Sequence, residues 1–293
     1  MKILVIGGNR YFGKSLVQRL LNKGHQVTLL NRGNRQDDFG AQVKRIHCDR
    51  RDEEALAREL HQESFDLVYD QVCYDLLEAS AACEVFNGRV GRYIFTSTQS
   101  VYPPSGKDLK EEAFDAKKYH FSRVTTQGED YGESKRQAEA TFFRQASFPV
   151  VAVRFPVVLD AQDPTGRFQF HRDRIGQGLP LYFPRLDAKI SFISKEDAAR
   201  VLEFLGSLSY TGPVNAASPE PIRLEDFLAE FEHKLRRHAV LSETKSTEAH
   251  SPYGLEEDWY MDCGLLKSLG LELSSVKTWL PPMIEESLKS FNP

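Results

Sequence analysis

The chain has 293 residues, a net charge of −4, 27% charged residues and 41% hydrophobic ones. That is room for one large core, or one core and a smaller lobe, with the composition of an ordinary globular protein. The negative balance argues against a nucleic-acid binder that works through overall charge. Cys48, Cys73, Cys83 and Cys263 show no Cys-x-x-Cys or Cys/His spacing suited to a metal. No signal-peptide core and no apolar run of membrane-spanning length is present, so the expectation is a cytoplasmic protein with reduced thiols and no membrane partner.

Short apolar runs alternate with helical patterns along the first half, the signature of a parallel sheet covered by helices. Ile3-Leu4-Val5-Ile6 reads as a buried strand. The helix after it carries Leu16, Val17, Leu20 and Leu21 on one face and ends at Gly24. Strands follow at Val27–Leu30, Val43–Ile46, Phe65–Tyr69, Tyr93–Thr96 and Val150–Val153, and a helix from Tyr131 to about Phe143 precedes the last. From Pro156 the pattern loosens. Phe168 to Pro184, rich in Arg, Gly and aromatics, suits a substrate-facing lobe, with His120 and His171 in loop-like stretches that lack partner spacing for a metal. Phe168, Phe170, Tyr182 and Phe183 are expected to be core. Ser194-Lys195-Glu196-Asp197 resembles a capping box opening a helix through Leu205, and Pro213–Ala216 a further strand. Arg223–Arg237 reads as an amphipathic helix, Ser242–Asp258 as loop, Asp262 as the cap of a short helix, and Pro281-Pro282 as the lead into a last one. The predicted architecture is α/β: a Rossmann-like, doubly wound parallel sheet over residues 1–160, with 186–217 returning to it, and a small, mostly helical substrate lobe over 161–293.

Gly7, Asn9, Arg10, Tyr11, Phe12 and Gly13 follow the first strand. A strand, a glycine turn and a helix place backbone N–H groups and a helix N-terminus beside a pyrophosphate. The second strand ends in Asn31-Arg32-Gly33-Asn34-Arg35, where an NAD site would carry Asp or Glu for the ribose hydroxyls. A neutral Asn31 with Arg32, Arg35 and Arg10 favours a 2′-phosphate, so NADP is expected ahead of NAD. Asp49, past the third strand, is placed to accept the adenine amino group.

The chemical end combines Phe95-Thr96-Ser97-Thr98-Gln99-Ser100-Val101-Tyr102 with Tyr131-Gly132-Glu133-Ser134-Lys135. Tyr131 and Lys135 stand four apart on one helix face, where the ammonium can lower the phenol's pKa and make it a proton donor or acceptor near neutral pH. With a hydroxyl from the preceding strand this is a proton relay for hydride chemistry.

On these residues the chain resembles the extended or atypical short-chain dehydrogenase/reductases of the NAD-dependent epimerase/dehydratase family. The resemblance puts the catalytic hydroxyl–Tyr-x-x-x-Lys set on Thr98, Tyr131 and Lys135, with Ser97 and Ser100 as lesser choices for the hydroxyl, and Glu139 in the longer Tyr-Gly-x-x-Lys-x-x-x-Glu pattern. It implies that Lys135 also holds the nicotinamide ribose and that Thr98 polarises a substrate carbonyl. Asp70-Gln71-Val72-Cys73 stands at a loop beside the cofactor, which brings in Gln71. Arg154-Phe155-Pro156 resembles the segment passing the nicotinamide, which brings in Phe155 and Pro156. A homodimer paired through the catalytic helix is a further implication. Arg10 replaces a middle glycine, and Val157 stands where sugar-nucleotide epimerases carry an asparagine, so a UDP-sugar substrate is not implied. Gln99 supplies no acid for dehydration.

The function expected is hydride transfer between a nicotinamide and a secondary alcohol or ketone of a small metabolite, sugar-like ones included. The alternative is a dinucleotide-sensing or RNA-binding protein on the same fold, as in chloroplast stem-loop RNA-binding relatives with a similar glycine turn. Substrate identity, and net reduction against epimerisation, are not legible in the residues.

Overall fold

Uninterrupted apolar runs set the architecture, because a parallel strand buried on both faces has no wet side to keep polar. The computed structural model describes residues 1–291. β1 (Lys2–Ile6), β2 (Gln26–Asn31), β3 (Val43–His47), β4 (Leu67–Asp70), β5 (Tyr93–Thr98), β6 (Val150–Phe155) and β7 (Gly212–Asn215) form one parallel sheet in the order β7-β6-β5-β4-β1-β2-β3. Val5 pairs with Leu29 on one side and Tyr69 on the other. β3, at the edge, buries Val43 and Ile46 and leaves Lys44 and His47 exposed. The predicted doubly wound, Rossmann-like sheet is the observed one. Strand order reverses where β1 meets β4, and the crevice at the carboxyl ends of such strands is where this architecture binds ligands.

The helices of this first unit are α1 (Tyr11–Asn22), α2 (Glu53–Leu60), α3 (Leu76–Val85) and α4 (Tyr131–Gln145), together with most of the helix Lys195–Ser207. Alternate sheet residues Leu4, Ile6, Leu30, Val68 and Phe95 pack with Leu56, Ala79, Ala82, Ala138 and Phe142 in one core. Asp52, Asp75 and Asp130 cap α2, α3 and α4, each carboxylate accepting an N–H of the first turn. At α1 the N-cap residue is Arg10, whose side chain caps nothing. Gly24, at φ +76, takes the left-handed turn predicted after α1.

The chain divides into two compact units: Met1–Tyr102, Glu111–Phe155 and Ala198–Ala216 make the first, and Pro103–Lys110, Pro156–Asp197 and the chain from Ala217 on make the second. The second has its own core, in which α5 (Arg167–Gln177), α6 (Leu224–Leu235) and α7 (Val276–Leu288) contribute Phe168, Ile175, Phe227, Phe231, Val276 and Ile284. Short strands accompany them, among them Val157–Leu159 parallel to Phe192–Ser194.

Three local readings are corrected. His171 does not stand in a loop-like stretch: α5 occupies most of Phe168–Pro184, and His171 is buried within that helix. Its Nε2 lies 2.8 Å from Ser251 Oγ and its ring stacks on Tyr253; desolvation pulls its pKa down to about 3. Pro281 and Pro282 lie inside α7 rather than before it. Ser275 caps that helix, and burial of Val276, Leu280 and Ile284 holds it where two proline nitrogens cannot donate. The short helix Gly264–Ser268 has Cys263 at its N-cap, although Asp262 Oδ1 still accepts from Gly264 N at 2.7 Å.

Candidate functional site

The turn after β1 lies at the switch point. Gly7 donates its N–H to Leu30 O, and Gly7 and Gly8 both hold positive φ, +95 and +83. A Cβ on Gly8 would fall 2.7 Å from Val5 Cγ1, and one on Gly13 would collide with the Gln71 amide and lie 3.0 Å from Gly8 Cα. Glycine is therefore required where β1 runs into α1. Tyr11, at φ +56, is a non-glycine residue in left-handed geometry at the helix start. Arg10, at the N-cap of α1, makes no side-chain capping hydrogen bond, and a helix N-terminus favours an anion. Two buried polar atoms near this crevice have no partner among the described residues: Gln71 Nε2, after β4, and Thr96 Oγ1, on β5. A cradle closed to any Cβ, an uncapped helix end and orphaned polar groups fit a dinucleotide pyrophosphate and ribose.

Beyond β2, Asn31 Oδ1 accepts from Gly33 N at 2.9 Å, and Asn9 Nδ2 donates to Arg35 O at 3.4 Å. The loop's own carboxylates are engaged, Asp38 with Lys14 and Asp37 with Arg45. Arg10, Arg32 and Arg35 are exposed and form no ion pair among the described residues. Asp49 Oδ1 accepts from Arg51 N at 3.1 Å.

Lys135 is 2% exposed, and among the described residues its hydrogen-bond partners are carbonyls rather than carboxylates. Its Nζ donates to Cys73 O and Thr96 O, both at 2.7 Å, and stands 4.4 Å from the Phe95 ring centroid and 5.5 Å from that of Tyr74. Burial pulls its pKa down to about 8, against the raising fields of Cys73, Asp70 and Glu139. One turn earlier, Tyr131 begins α4 and is 39% exposed. Thr98, at the end of β5, is buried; its Oγ1 accepts from Ser100 N at 3.1 Å and lies 3.3 Å from Ser100 Oγ. Ser97 is turned away, donating to Glu139 Oε1. Phe155 closes β6 with its ring 5.7 Å from Phe12, and Pro156 opens the second unit.

Sequence reasoning missed several supporting groups. Tyr74 lies close enough to Tyr131 that the latter's charge would raise its pKa, though burial is the larger cause. The loop carrying Cys73 hangs from a buried set in which Arg50 donates to Asp70 Oδ2 at 2.9 Å and Glu78 Oε2 at 3.0 Å, and Tyr93 donates to Asp70 Oδ2 at 2.6 Å. Glu78 Oε2 also accepts from Tyr74 N. The one signal available was an aspartate, Asp70, ending an apolar strand.

Residues 3–74 match the family model described as NAD dependent epimerase/dehydratase family, the family read from the sequence. A curated relative, the chloroplast stem-loop binding protein of 41 kDa b of Arabidopsis thaliana, is 29% identical over 223 residues, 70% of this chain. The match spans only 55% of that relative's length. Among solved structures, UDP-glucose 4-epimerase of Thermotoga maritima with UDP-glucose superposes with a TM-score of 0.76 at 16% identity, covering 100% of both chains. UDP-glucose 4-epimerase of Thermus thermophilus with NAD gives 0.75 at 18% identity, covering 99% of this chain and 100% of that one. At such identities the likeness is one of fold.

Proposed function

From that family likeness we propose that the protein is an NAD(P)-dependent enzyme of the epimerase/dehydratase type, moving a hydride between a nicotinamide and a secondary alcohol or ketone of a small metabolite. The observation that carries this reading is Lys135, an enclosed ammonium held by two carbonyls and no carboxylate, one turn from an exposed phenol. A lysine with only a structural task would be paired or would reach water.

The dinucleotide would supply the hydride donor or acceptor. Gly7 to Gly13 and the open end of α1 would hold its pyrophosphate, Gln71 and Thr96 would take up hydrogen bonds now unmade, and Asp49 would meet the adenine. Phe155 would border the nicotinamide. In the reductive direction Tyr131 gives its proton to the carbonyl oxygen, and Thr98 hydrogen-bonds that oxygen as charge grows on it. The Lys135 ammonium would hold the nicotinamide ribose and stabilise the tyrosinate left behind. Tyr131→Phe removes the proton and should abolish turnover with a panel of sugar and keto substrates while leaving dinucleotide affinity within about twofold. Surviving turnover would sink the assignment.

NADP is the preferred dinucleotide in this reading, because Arg32 and Arg35 follow β2 and Arg10 precedes α1 as exposed cations that pair with no carboxylate among the described residues. Equal or tighter binding of NAD in a fluorescence titration would refute the preference. Val157, in place of a sugar-gripping asparagine, points away from a UDP-sugar.

A second reading has one observation in its favour: the relative from Arabidopsis thaliana is named for binding a stem-loop. The net charge of −4 speaks against it. Salt-dependent retention of a stem-loop RNA, with no dinucleotide-linked absorbance change for any substrate, would favour RNA binding over catalysis.

A further inference from the structure

The first turn of α4 rests directly on the backbone that follows Thr98. A Cβ built on Gly132 would stand 2.6 Å from Ser100 O, a carbonyl fixed in the short turn Gln99–Val101. One turn on, Arg136 reaches the same place: its Nη1 donates to Ser100 O at 3.4 Å and Val101 O at 3.3 Å. The guanidinium is itself held, with Nε donating to Glu133 Oε2 at 2.8 Å, and Glu133 is gripped by Tyr119 and Gln137. Ser100 is also the residue whose N–H and hydroxyl engage Thr98 Oγ1. Gly132 adjoins Tyr131 in the chain, so the contact of α4 with Ser100 sets how far Tyr131 stands from Thr98.

We propose that Gly132 and Arg136 are positioning residues: glycine removes the spacer between helix and turn, and the guanidinium clamps the two carbonyls, so that the Thr98 hydroxyl and the Tyr131 phenol face one reacting oxygen. This rests on the catalytic pairing proposed above. Any side chain at 132 must push the helix start off Ser100, because the obstacle is backbone and cannot swing aside. The loss falls on geometry between the two hydroxyls, not on the dinucleotide cradle, which other elements build.

The test is the coupling between Thr98 and Tyr131, read by ultraviolet difference titration of tyrosinate in the dinucleotide-free protein, with the Tyr131 signal isolated by subtracting the Tyr131→Phe variant. In the parent, Thr98→Val should raise the Tyr131 midpoint by about one pH unit, the worth of one hydrogen bond to a charged oxygen, direct or through water. In Gly132→Ala and in Arg136→Met the same Thr98→Val change should move it less than half as far. Arg136→Lys, which keeps a donor, should restore most of the coupling. Coupling of parental size in Gly132→Ala or in Arg136→Met would overturn the role of that residue while leaving the catalytic pairing standing. No coupling in the parent would overturn the pairing itself, and the positioning role with it.

Discussion

Arg154 and Lys135 are both sealed inside the first unit, and what surrounds each of them differs. Arg154, on β6, is 0% exposed and meets Glu139 through two parallel bonds, Nε to Oε1 at 3.0 Å and Nη2 to Oε2 at 2.7 Å, with further bonds to Tyr102 and to the carbonyls of Glu111 and Phe114. Burial works against its charge, but the adjoining carboxylate prevails and its pKa is driven up. Lys135, on α4, donates to two carbonyls and to no carboxylate among the described residues, and burial brings its pKa down to about 8. Glu139 stands four residues after Lys135, the spacing of a helical ion pair, yet it turns to Arg154. Burial is common to both cations; the carboxylate decides which one is scaffold and which can gain or lose a proton near neutral pH.

The largest effect should come from breaking the paired cation. Glu139→Gln leaves Arg154 enclosed without its counter-charge and should cost about 3–5 kcal/mol in urea unfolding. A cost below about 1 kcal/mol would break the contrast. The lysine should show itself through pH. Its folded value, about 8, lies below the ordinary 10.5, so a penalty is fully present below pH 8 and is relieved as pH climbs from 8 to 10.5. Measured without dinucleotide, the parent should gain about 2–3 kcal/mol on Lys135→Met across that window; a flat difference would show the lysine to be neutral already or paired. His171 extends the comparison to a group buried neutral in the second unit. With a folded value of about 3 against 6.5, its contribution is intact above pH 6.5 and lost as pH falls below it. Replacement by Leu should therefore flatten the acid side of the stability curve, by about 2 kcal/mol at pH 5. The smallest effect belongs to the exposed cations: Arg32→Ala or Arg35→Ala should weaken NADP about tenfold each and leave NAD unchanged in a binding titration.

The sheet was legible because strands buried on both faces leave continuous apolar runs, as in Ile3–Ile6 and Val150–Val153. α5 escaped because its buried face includes His171 and Arg172 beside Phe168 and Ile175, which no hydrophobic period reveals. At the proposed site, spacing singled out Tyr131 and Lys135, and the family resemblance Thr98. It could not bring out what holds Lys135, since Cys73 O and Thr96 O are backbone atoms that leave no mark on residue type. Nor could it show that Gly132 and Gly13 are close approaches, since each is decided by a neighbour far along the chain, Ser100 and Gln71.

β7 has a consequence for how the protein is made. Residues 212–215 zip onto β6, Val214 opposite Val153, more than fifty positions after that strand has been synthesised. While the intervening stretch leaves the ribosome, Val150–Phe155 presents an unpaired, largely apolar edge, the kind of template that recruits other nascent chains. Expression of fragments ending before Asn215 should consequently yield inclusion bodies unless a chaperone shields that edge.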